Sequence, residues 1–149
     1  MSRITARSAA MQMIYERFSG GNGGEETLQM IYDQLKEEKD PPVKVFSDEP
    51  GEDDRAFILR AIEGVIANRD QIDDVISRTA KGWTLDRMSN VDLNILRLAV
   101  WEILYEPDVP DNVAISEAVA LTARYSDPDD KSFINGILGT IVRQKDSEQ

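Results

Sequence analysis

The segment Val91–Tyr105 constrains this chain more than any other. Val91, Leu93, Ile95, Leu96, Leu98, Ala99, Val100, Ile103 and Leu104 make it apolar nearly all round at helical spacing. A helix without a polar face must be surrounded by other elements. Ser89 reads as its N-cap, with Asp92 three positions later as a short capping-box partner. Pro107 and Pro110 end it. The rest of the chain is therefore expected to wrap around this helix.

The remaining segments carry the matching half-apolar patterns. Ile4, Met11, Tyr15 and Phe18 fall on one stripe of a first helix over residues 4–18. The glycine cluster Gly20–Gly24 ends it. Leu28, Ile31 and Leu35 mark a second helix, stopped by Pro41 and Pro42, and residues 40–52 read as a polar loop with Val43, Val45 and Phe46 tucked inward. A third helix begins near Glu52–Asp54, whose acids suit the positive end of a helix dipole. Its wide face is Phe57, Ile58, Ala61, Ile62, Val65 and Ile66. After a joint at Asn68–Asp70, Ile72, Val75, Ile76 and Thr79 carry a fourth helix to Lys81–Gly82, where Gly82 suits a C′ position.

Beyond the central helix, a sixth helix starts between Asp111 and Ser116, with Ile115, Ala118, Val119 and Thr122 inward. Asp127 is the expected N-cap and Pro128 the N1 residue of a seventh. Phe133, Ile134, Ile137, Leu138, Ile141 and Val142 form its apolar face, and Gly136 and Gly139 are expected to permit close helix packing. No segment reads convincingly as a strand. The expectation is an all-α, compact bundle of about seven helices. Residues 1–149 would form a single helical domain, with sub-bundles over roughly 1–68 and 69–145.

Composition removes most chemistries. The chain has no cysteine and no histidine. Disulfides, thiolate nucleophiles, Cys/His zinc sites, Ser-His-Asp triads and HExxH chemistry are thereby excluded. With 28 acidic against 17 basic side chains, net charge is −11. The average field repels phosphate, so any nucleic-acid contact must come from a local basic patch. Nothing resembles a signal peptide, and no apolar run is long enough for a transmembrane helix. A cytoplasmic protein without membrane contact is expected.

Several features invite a functional reading. Asp127, Asp129 and Asp130 fail the spacing of a calcium loop, because Lys131 and Ser132 stand where an oxygen ligand and glycine belong. Helix capping accounts for them better. The acidic run Asp48–Asp54 fits a solvated loop. Gly20–Gly24 lacks the strand and the Lys-Ser/Thr of a phosphate cradle. Arg97 and Glu102 lie on the greasy central helix and should be paired or at an exposed edge. Trp83, Trp101 and Tyr105 read as core. Arg3 and Arg7 sit one turn apart at the edge of the first helix's apolar stripe, with Arg17 near the same edge. Arginines at that spacing can straddle successive phosphates or fork onto base edges. No catalytic, metal or cofactor site is expected.

Four segments in order carry a resemblance. Ala6-Arg7-Ser8-Ala9-Ala10-Met11-Gln12-Met13-Ile14-Tyr15 opens the chain. Val91-Asp92-Leu93-Asn94-Ile95-Leu96-Arg97-Leu98-Ala99-Val100-Trp101-Glu102-Ile103 forms its centre. Val113-Ala114-Ile115-Ser116-Glu117-Ala118-Val119 follows, then Phe133-Ile134-Asn135-Gly136-Ile137-Leu138. Their order and spacing resemble the NusB family of bacterial transcription antitermination factors, nearly end to end and least over residues 20–52.

The resemblance implies an all-helical fold without enzymatic activity. It implies binding of the boxA element of nascent RNA, and a heterodimer with NusE, which doubles as a small-subunit ribosomal protein. Work within an RNA polymerase antitermination complex on ribosomal RNA operons would follow, and the family also admits a homodimer. Carried over by position, Arg3, Arg7, Tyr15, Lys131 and Phe133 are the expected RNA-binding residues. Asp86, Asp92 and Asp129 are the expected partner-binding residues.

A physical mechanism accompanies these assignments. A basic partner docked on the acidic body would cancel its field, so few phosphates need neutralising by this chain itself. Arginine forks on the first helix and an aromatic such as Phe133 would then meet the RNA. The main alternative is an acidic helical adaptor that binds NusE or another basic partner without recognising RNA. An enzyme relying on paired carboxylates is a more distant one.

Overall fold

The computed structural model describes residues 3–21, 26–27, 29–31, 33, 52–80 and 88–147, without the side chains of residues 3–5 and 52. Every regular element among them is helical. They are α1 (Arg3–Phe18), α2 (Glu52–Ala67), α3 (Arg69–Thr79), α4 (Asn90–Tyr105), α5 (Asp111–Tyr125), a 3-10 turn (Pro128–Asp130) and α6 (Lys131–Ser147). Further helical residues lie between 26 and 33. The fold is the all-α one expected. The loop over 40–51, Gly82, Trp83 and Asp86 lie outside the described residues. The chain divides into two compact units, Met1–Glu63 and Gly64–Gln149, and the division falls inside α2.

In the first unit, the buried side of α1 is wider than the expected stripe. Ala6, Ala9, Ala10, Met11, Met13 and Ile14 are all buried, while Tyr15 and Phe18 are half-exposed. Small alanines let that face pack over much of its circumference. From α2 the unit buries Phe57, Ile58, Ala61 and Ile62. Full burial of a ring such as Phe57 contributes about 1.5–3 kcal/mol. After α1, Gly20 takes φ +100°, a backbone angle L side chains avoid, and a side chain at Gly21 would overlap Glu16.

The second unit is organised around α4, as its apolarity requires. Its buried residues run from Asp92 through Leu96 and from Leu98 through Ile103. Helices α3, α5 and α6 pack against it. Ser89 caps it, its Oγ accepting from the Asp92 backbone N–H at 3.0 Å. Only this half of a capping box is seen; Asp92 Oδ1 has no hydrogen-bond partner. Arg97 donates from Nε and Nη2 to the two oxygens of Asp73 on α3 at 2.8 and 2.9 Å, and from Nη1 to Asn94 at 3.1 Å. Such a fork–fork pair locks α3 to α4. Lys145 near the end of α6 reaches both carboxylate oxygens of Asp111 at 2.8 Å and the Ile103 carbonyl at 3.3 Å.

Three expectations about packing need correction. Tyr105, expected in the core, is 37% exposed, its hydroxyl donating to Gln71 Oε1 at 2.7 Å. On α5 the buried residues are Ala114, Ala118, Leu121 and Thr122; Ile115 and Val119 are only half-buried. The helix thus turns two alanines, with Leu121 and Thr122, to the interior of the unit. Gly136 and Gly139 do not mediate close packing. A Cβ at Gly136 would meet nothing within 4 Å, and one at Gly139 only the Arg143 guanidinium at 3.4 Å. The close approach occurs at Gly64 on α2, where any side chain would overlap the Trp101 indole. Trp101 is 3% exposed, a core residue as expected.

Candidate nucleic-acid and partner interface

The start of α6 is built by the sequence Asp127-Pro128-Asp129-Asp130. Pro128 sets φ for the first helical position, and the Asp127 side chain accepts from the Asp129 N–H at 2.9 Å. The resulting 3-10 turn runs directly into α6, the Lys131 N–H donating to the Pro128 carbonyl. Lys131 and Asp129 are exposed and Phe133 is half-buried. An acid, a cation and an aromatic ring thus stand within one and a half turns, where the 3-10 turn passes into α6.

Below them lies a carboxyl pair. Asp92 is 4% exposed, and one of its oxygens, Oδ1, has no hydrogen-bond partner. Its carboxyl shares a hydrogen bond with that of Asp130, which pushes Asp130 up from 3.8 to about 6. Burial and the negative charges of Asp92 and Asp127 push the same way. The Asp130 carboxyl therefore keeps its proton to a higher pH than a free aspartate does. Sequence reasoning assigned Asp130 only to helix capping. A buried acid on the all-apolar helix and an acidic run elsewhere were the available signals, but nothing in spacing says that they meet.

The second group belongs to α1 in the other unit. Arg7 was expected to face outward. The structure places it inward: it is 4% exposed, with its guanidinium carbon 5.7 Å from the centroid of the Phe57 ring. This is cation–π geometry with a long aliphatic stem laid along the core. In this position Arg7 braces α1 against α2. Tyr15 is half-exposed and Arg17 exposed on the same helix. The side chain of Arg3 and all of Asp86 lie outside the described residues. No trio of acidic residues able to hold a metal ion occurs among the described residues. No described helix is long and apolar enough to cross a membrane.

Comparison with known proteins places this geometry. The NusB family model matches residues 4–143. The transcription antitermination protein NusB of Acetivibrio thermocellus is 39% identical over 145 residues, covering 97% of this chain and 91% of the relative. NusB of T. maritima superposes with a TM-score of 0.74 at 31% identity, over 96% of this chain and 92% of that one. A chain from a crystal structure of the antitermination factors NusB and NusE with double-stranded RNA shares the fold, with a TM-score of 0.75 at 21% identity over 95% of this chain and 96% of that one. A family match spanning almost the whole sequence, joined to a close relative at full length, decides the point: the chain belongs to the NusB family.

Proposed function

We propose that the chain is a non-enzymatic, cytoplasmic RNA-binding transcription antitermination factor. It binds boxA-type RNA together with NusE and supports transcription of ribosomal RNA operons within an RNA polymerase antitermination complex. The observation that carries this reading is the start of α6, where acids suited to a basic protein adjoin a cation and an aromatic suited to RNA. Asp129 serves the partner, with Asp86 assigned alongside it by family position; Asp92, assigned there likewise, is 4% exposed and acts from beneath, through its contact with Asp130. Lys131 neutralises phosphate, and Phe133 offers a ring to an unpaired base. Arg3 and Tyr15, on α1, are assigned to RNA by family position. Arg7, also assigned to RNA by family position, acts there by holding α1 in shape.

The net charge of −11 makes the partner essential to this scheme. A basic protein docked on the acids cancels the repulsive field, and the RNA then meets a surface made by both chains. RNA affinity is expected to be weak and salt-sensitive for the chain alone, and much tighter with NusE. Titrating labelled boxA RNA with and without NusE at two salt concentrations tests this. Equal affinities would remove the composite surface. NusE binding without any effect on RNA affinity would favour the adaptor reading, which the burial of Arg7 and the acidic balance support. Sedimentation of the chain alone decides between monomer and homodimer.

A further inference from the structure

The C-terminal end of α4 carries a hollow that none of these roles uses. The helix cannot continue through Pro107, which has no N–H to offer the Ile103 carbonyl four residues back. Lys145 of α6 supplies the missing donor. Its Nζ reaches that carbonyl at 3.3 Å and both oxygens of Asp111 at 2.8 Å. An ammonium has three hydrogens, and these three acceptors engage them all. The Lys145–Asp111 pair, together with Glu106, Pro107, Val109 and Pro110, walls a hollow of about 330 Å³. Ile103 lies eleven residues beyond Asp92 on α4, so about 16 Å of helix separate the hollow from the carboxyl pair under the start of α6.

Charge and shape select the occupant. The wall carries two carboxylates, Glu106 and Asp111, against one ammonium that is already in use, and exposed Asp108 adds a third carboxylate in the same loop. The carbonyl end of α4 contributes a partial negative charge of its own. An RNA phosphate is repelled from such a place. A metal ion is no better served, since no trio of acids able to hold one occurs among the described residues. Pro107, Val109 and Pro110 set apolar surface next to these acids. Apolar wall and negative charge together suit a side chain with a long hydrocarbon stem and a cationic head.

We infer that the hollow receives a lysine or arginine side chain of a second basic protein, at the opposite end of α4 from the surface assigned to RNA and NusE, so that both surfaces can be occupied at once.

The test follows the amide signals of the isotope-labelled full chain, with and without saturating NusE, as a short peptide of alternating arginine and alanine is added. Saturable shifts are expected at residues 104–112 and at Lys145, and they should be the same in both states. Val109→Arg places a cation of the chain's own in the hollow, and Asp108→Lys reverses a charge beside it. Each should weaken the response of these residues about tenfold. Asp33→Lys makes the same charge change on an exposed residue of the other unit and should stay within about twofold. All three positions are exposed or half-buried, so thermal midpoints near wild type are expected to show that the variants fold. Shifts that never saturate, or that survive Val109→Arg and Asp108→Lys, would overturn the assignment. So would equal shifts from a peptide of alternating glutamate and alanine. A hollow that stops responding once NusE is bound would belong to NusE itself, which removes the second partner. None of these readouts involves RNA, so the RNA reading stands or falls separately.

Discussion

Arg7 and Lys131 both sit in the opening turns of helices, α1 and α6, and they meet opposite surroundings. Arg7 lies against a buried ring and is almost wholly enclosed, whereas Lys131 stands in solvent beside an acidic turn. The difference comes from what lies beneath each helix. Under α1 are alanines, whose small side chains leave room for an arginine stem. Under α6 are Ile134, Leu138 and Ile141, which fill the space themselves. A positive side chain near a helix start is therefore a brace in one place and a contact in the other, and charge alone does not distinguish them.

The sharpest way to break this contrast is to remove the floor under Arg7. Phe57→Ala deletes a fully buried ring and is expected to cost about 3–5 kcal/mol, read as a lower urea midpoint with an unchanged slope. A cost below about 1 kcal/mol would mean that Arg7 is not held by that ring. Next in size, Arg7→Ala should destabilise by about 1–3 kcal/mol, because both the packing of its stem and its cation–π attraction to the ring disappear. If instead it left stability untouched and weakened only RNA binding, Arg7 would belong with Lys131.

A smaller, pH-dependent effect concerns the carboxyl pair. Asp130 is raised from 3.8 to about 6, so between those values the folded chain holds more protons than the unfolded one. Stability from this pair is full below about pH 4 and lost as pH rises toward about 6. Subtracting the urea midpoints of Asp130→Asn from wild type across that window should reveal this decline, and a flat difference would refute it. Smallest in stability is Lys131→Ala, expected within about 0.5 kcal/mol of wild type. Its effect should appear in RNA titrations, as a salt slope shallower by about 0.7 when one phosphate is no longer neutralised.

The central architecture was legible because the segment Val91–Tyr105 admits one solution: apolar on all sides, it had to be enclosed. The ends of α1 and α4 followed from glycine and proline. Where two neighbouring faces are both apolar, as on α5, spacing alone could not say whether Ile115 and Val119 or Ala114 and Leu121 would turn inward; the neighbouring helix decides. Gly136 and Gly139 show a similar ambiguity, since a bare position serves a tight contact or an open space equally. Lys131, Phe133 and Asp129 entered the candidate site by resemblance. Burial of Arg7 and the meeting of Asp92 with Asp130 were not legible, because depth and contacts between remote segments are properties of the packed molecule.

The bare backbone at Gly64 against the Trp101 indole has a practical consequence. The indole emits according to the polarity around it, and here part of its environment is the bare backbone of Gly64. The Gly64–Trp101 contact is thus a built-in optical gauge: in a Trp83→Phe background, any ligand or partner that lets water in beside this indole is expected to redden the emission.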